Sequence, residues 1–161
     1  MVSTAATSLR DALEQKVHEL EEALRGIDEG SAARRPAEAE WCVKEVLSHL
    51  CGDEGESAVA RLRRFVDEET PLIGIVAGLP YYTPKRQAMP VAELLSSVRA
   101  QLEPMGEFLA GLSDEQLARK GRVPLLKDTP FGEYPTLAQL AGVLVNFHLV
   151  DHINQIRNSR K

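Results

Sequence analysis

Apolar residues recur along this chain at intervals of three and four, the pattern of helices that bury one face. Leu9, Leu13, Val17, Leu20 and Leu24 predict a first helix over residues 7–27, closed by Gly26 and Gly30. Val43, Val46, Leu47, Leu50, Val59, Leu62 and Phe65 predict a second, a single helix from just after Trp41 to about Glu69. Gly52 and Gly55 lie inside it at about 1 kcal/mol each relative to Ala, which implies that another element approaches them closely. Pro90 suits the first turn of a third helix carrying Leu94, Leu95, Val98, Leu102 and Leu109. Pro104 predicts a kink or break in it near Gln101. Ser113 to Gln116 reads as a cap and a short turn. Thr136 caps a fourth helix, with Leu137, Leu140, Ala141 and Leu144, to about Asn158. The stretches 71–89 and 120–135 are rich in Gly and Pro, and no run alternates as a strand would. The expected fold is all-α: a four-helix bundle with two long connecting loops, one domain over 1–161. An irregular all-α fold is the alternative.

Charge narrows the function. Nineteen Lys and Arg against 24 Asp and Glu give a net charge of −5, which argues against a protein that tracks nucleic-acid phosphates. Aromatic residues are only 5%, too few for a base-stacking platform. No apolar run approaches the roughly 20 residues that cross a bilayer, and the first residues do not resemble a signal peptide. A soluble, cytoplasmic protein without nucleic-acid or membrane partners is expected. Arg61, Arg63 and Arg64 followed by Asp67, Glu68 and Glu69 read as a solvated helix face. On one helix Cys42 and Cys51 stand about 13 Å apart and on opposite faces, so they do not pair. Both read as free thiols that pack as small hydrophobes.

Three of the four histidines fall at suggestive positions. His148 and His152 are four residues apart and stack on one helix face, continuing the apolar stripe of Leu140, Ala141 and Leu144. His49 lies beside Val46 and Leu50 on the inward side of the second helix, with Asp53 one turn on. Three imidazoles from two helices can hold a metal ion and leave coordination positions open. They can equally be core or rim histidines with hydrogen-bond partners of their own, and the spacings alone leave both readings open. His18, among Lys16, Glu19 and Glu21, reads as surface. Cys42 lies about 10 Å along the axis from His49, too far to share its metal, and Cys51 faces away. Asp53 and Asp151 are either supports for the histidines or plain surface. Trp41, Tyr81 and Tyr82 either line a pocket mouth or pack as ordinary aromatics.

The segment from Glu40 to Leu50, EWCVKEVLSHL, resembles the motif that opens the second helix of the DinB/YfiT-like family. Phe147 to Ile156, FHLVDHINQI, resembles that family's closing HxxxH helix. The resemblance covers essentially the whole chain. It implies an up-down-down-up four-helix bundle, frequently dimeric, with a divalent metal ion held by His49, His148 and His152. Imidazole and water accept Zn or Ni, and also Fe, Co or Mn.

Some members transfer low-molecular-weight thiols such as bacillithiol or mycothiol, so the resemblance implies a metal-dependent small-thiol S-transferase in detoxification or stress. Mycothiol-dependent isomerases often carry a further C-terminal domain, which this sequence does not show. The other readings are a stress-associated binding dimer with a structural metal and a metal-dependent hydrolase. A homodimer is expected, since Leu112, Leu125, Leu126 and Phe131 lie in or beside loops where a partner would cover them.

Overall fold

The structure, a computed structural model, describes residues 1–160. Ser3 starts the first helix, its Oγ accepting from the backbone N–H groups of Ala5 and Ala6, and α1 runs Thr4–Leu24. A short α2 (Glu29–Ala33) follows, capped by Asp28. The second segment is not one helix. α3 (Val43–Cys51) stops at Gly52, and α4 (Ala58–Asp67) starts afresh from a Ser57 cap. Gly52 and Gly55 have φ of +73° and +81°, and no atom lies within 4 Å of where a Cβ on either would sit. They turn the chain in a conformation that disfavours other residues; close approach is not their role.

After α5 (Pro84–Ala88), α6 runs unbroken over Val91–Ala110. Pro104 sits on its exposed side, as does Ala100, whose carbonyl loses its helical partner there. Water can serve that carbonyl, so of the kink or break expected near Gln101 the break does not occur. The Glu29 carboxylate accepts from the Val91 N–H at 3.1 Å and caps α6 from across the chain. Then come α7 (Asp114–Leu117), α8 (Leu137–Val143) and α9 (Leu149–Ser159), with a π-helical turn at Leu144–His148 joining the last two.

α1 packs on α6 and α9, while α3 packs on the same two helices from the other side and α4 adds to the contact with α6. This is a four-helix bundle in up-down-down-up order. Its second and third segments are parallel neighbours, so a long return must join them. The two long connections are pinned to each other. Ile73 N–H donates to the Arg122 carbonyl and Arg122 N–H to the Pro71 carbonyl, both at 2.8 Å. Gly121 lies against the buried Phe65 ring, where a Cβ would be 2.6 Å from Cζ. The core reaches further into these connections than the sequence suggests. Leu112 and Leu126 are buried, and of the four apolar residues expected at loop surfaces only Leu125 is exposed.

Candidate metal centre

His49 lies in the last full turn of α3, and His148 and His152 flank the junction between the π-helical turn and α9. That turn has a visible effect on register. Leu137, Ala141, Val145, Leu149 and Ile153 are all buried, spaced by four throughout. In a regular helix such a stripe drifts about 40° per step. The wider turn takes up part of that drift, keeps the stripe on the core, and leaves His148 and His152 half-buried at its edge, facing α3.

One ring nitrogen from each of the three histidines lies within 4.8 Å of the others. His49 Nε2 and His148 Nε2 are 2.9 Å apart, and the His148 and His152 ring centres are 4.6 Å apart. Two outer nitrogens are already engaged. His49 Nδ1 is 2.7 Å from the Leu79 carbonyl oxygen, which only accepts, so Nδ1 carries the proton and Nε2 presents a lone pair. His152 Nδ1 meets Gln155 Oε1 at 2.9 Å with the same consequence. Burial holds the His148 imidazolium down to a pKa of about 4, helped by the neighbouring His152 and His49. Burial also lowers His152, against the opposing pull of Gln155. An outer nitrogen held by an oxygen turns the inner nitrogen of His49 and of His152 toward the gap, the arrangement of metal-ligating histidines, while His148 Nε2 bridges to His49 Nε2. The spacing of the three rings is close to what one cation with bonds of about 2 Å to nitrogen requires.

The surroundings divide the other candidates. Trp41 forms a wall, its ring 5.2 Å from that of His49 and stacked on that of His152 at 6.2 Å. Asp53 is exposed and accepts from the Glu54 N–H; the Leu79 carbonyl takes the orienting role open to it. Asp151 is exposed and lines a groove of about 630 Å³ with Glu40, Trp41, Asn154 and Gln155. Tyr81 and Tyr82 are half-buried. Burial, with Cys42 and Glu45 nearby, pushes the Tyr82 phenol up to about 12.

Neither cysteine contributes to the converging nitrogens. Cys42 caps α3 and Cys51 ends it, with Sγ 3.6 Å from the Leu94 carbonyl. Both are free and buried, and burial raises both thiols, Cys51 to about 11. His18 is exposed on α1. Leu79 escapes a sequence reading because it acts through its backbone. Gln155 stands three residues after His152, a spacing that does put the two side chains together on a helix.

The profile of the DinB superfamily matches residues 12–156, a span that runs from α1 into α9 and includes all three histidines. The chain belongs to the DinB superfamily. Among solved structures, this DinB-superfamily chain is similar to YfiT from Bacillus subtilis, described as "a probable metal-dependent hydrolase with an unusual four-helix bundle topology". The TM-score is 0.80 at 20% identity, over 99% of this chain and 88% of YfiT. At that identity the likeness is one of fold. No curated protein matches the sequence.

Proposed function

We propose that this DinB-superfamily protein binds one divalent cation through His49, His148 and His152 and catalyses transfer of a low-molecular-weight thiol to an electrophile. The observation that carries the metal reading is the convergence of three histidine nitrogens, two of them with their outer nitrogens tied back to oxygens. Three protein ligands leave coordination positions open, as catalytic sites do, whereas a structural site is closed by four. The donor set is all nitrogen, which suits Zn or Ni and also accepts Fe, Co or Mn. A cation bound there supplies the charge that lowers the pKa of a thiol or of water.

Two features favour an external thiol. The chain's own thiols are buried and pushed away from thiolate, so a thiol nucleophile would come with a ligand. Neither Asp53 nor Asp151 belongs to the converging group, so the chemistry draws little on a carboxylate base. Trp41 and the polar groove beside it offer a face and amides to hold the reacting molecule, and positioning supplies the rest of the rate. Free buried thiols suit a reducing, cytoplasmic setting, and detoxification or stress is the setting this chemistry fits. The protein works as a homodimer in this reading, the exposed Leu72, Val76 and Leu125 being available for burial.

Turnover of an electrophilic test substrate should require both the metal and an added small thiol. It should rise with pH around a midpoint below the roughly 8.5 of a free cysteine thiol. Hydrolysis is the second reading, favoured by what is said of YfiT. Metal-dependent turnover without any thiol would replace the first reading with it. A metal that leaves every substrate unchanged would favour a binding protein stapled by its ion.

A further inference from the structure

Arg86 is 8% exposed and, among the described residues, forms no ion pair with a carboxylate. A buried cation without a counter-ion is costly, and stability alone would favour an apolar residue of similar size. Its side-chain hydrogen bonds go to two residues, Ser48 and Tyr81. Nη1 donates to the Ser48 carbonyl at 3.1 Å, to Ser48 Oγ at 3.3 Å and to the Tyr81 carbonyl at 3.2 Å. Ser48 Oγ donates to the same Tyr81 carbonyl at 2.9 Å, and Tyr81 takes a φ of +50°, strained for a residue with a side chain. One turn earlier on α3, the buried Lys44 donates to the Gln87 carbonyl at 2.6 Å. Ser48 immediately precedes His49, and Tyr81 lies two residues beyond Leu79, whose carbonyl receives the His49 Nδ1 proton.

The geometry points to Arg86 as a positioning residue for the metal centre. Its guanidinium holds Tyr81, and through it the Leu79–Tyr81 segment, against the end of α3, and thereby fixes the tautomer and ring orientation of His49. Placing a cation at the carbonyl end of α3 adds favourable helix electrostatics, which helps retain it there. This rests on the proposed metal reading, because the orientation matters through what His49 Nε2 then faces. Orienting groups of this kind change metal affinity by about 10–100-fold.

The test compares wild type with Arg86→Met, Arg86→Lys and Ser48→Ala, using zinc affinity by chelator competition, the absorption spectrum of the cobalt-substituted protein, and imidazole ¹H–¹⁵N spectra of the metal-free protein. The expected result for a folded Arg86→Met is zinc binding weakened about 10–100-fold, a changed cobalt spectrum, and a His49 that populates both tautomers without metal. Arg86→Lys should recover part of the affinity. Wild-type affinity and a single Nδ1–H tautomer in Arg86→Met would overturn the proposal. Should Arg86→Met not fold, unchanged zinc affinity in both Arg86→Lys and Ser48→Ala overturns it instead. The tautomer is read without metal, so a wild type that binds no zinc defeats the metal reading separately.

Discussion

At the scale of single residues, the account makes His148 indispensable and His18 irrelevant to metal. His148→Ala should abolish binding of one equivalent, and His18→Ala should leave it intact in the same titration. Equal loss from both would mean that the converging rings are not the ligands. The same burial predicts a pH dependence of the metal-free fold. An unfolded histidine titrates near 6.5 and folded His148 near 4, so between those values the unfolded chain binds a proton that the folded chain does not. Stability is therefore full above about pH 6.5 and falls toward pH 4, by up to about 3 kcal/mol from this residue. Urea unfolding of chelated protein at pH 7 and pH 5 measures it, and a His148→Phe variant should lose less over that interval. What the sequence revealed at this scale was the three imidazoles, through helical spacing and family resemblance. It did not reveal Leu79 or Arg86. The first acts through a backbone carbonyl, and the second through a contact 38 positions away in the chain from Ser48.

At the scale of elements, periodicity located the helical segments because each buries a stripe, but it could not say where a segment stops turning. The apolar pattern runs on past Gly52, so α3 and α4 read as one helix; two positive-φ glycines and a Ser57 cap divide them. Pro104 marked a kink or a break, and α6 runs through it without a break, since an exposed proline in a long helix costs one solvated carbonyl. The π-helical turn was hidden because a stripe spaced by four is also compatible with a short regular helix. Packing between loop and helix gives the clearest test at this scale. Gly121→Ala would drive a methyl into the Phe65 ring, and overpacking of this kind costs about 1–3 kcal/mol. A denaturant midpoint equal to wild type would show that the two connections are not pressed onto α4 as described. The metal site should survive the change, since Gly121 is not among its contacts.

At the scale of the whole molecule, a ligand that binds only the folded chain stabilises it by mass action. With free cation 100-fold above its dissociation constant the gain is about 2.7 kcal/mol, which for a domain of this size raises the melting temperature by about 5–10 °C. The proposed homodimer carries its own test: light scattering should return about twice the 17.7 kDa of one chain, and a constant monomer mass over a wide concentration range would contradict it. Metal binding depends on the bundle bringing α3 to face α9, which it does through the order of its helices around the core. The central claim is that this arrangement is a metal centre. The most direct test is elemental analysis of protein purified without a nickel column, wild type beside His148→Ala. The account predicts about one divalent ion per chain in the wild type and none in the variant. A wild type without metal even after incubation with zinc, or a variant that keeps its full complement, would contradict it.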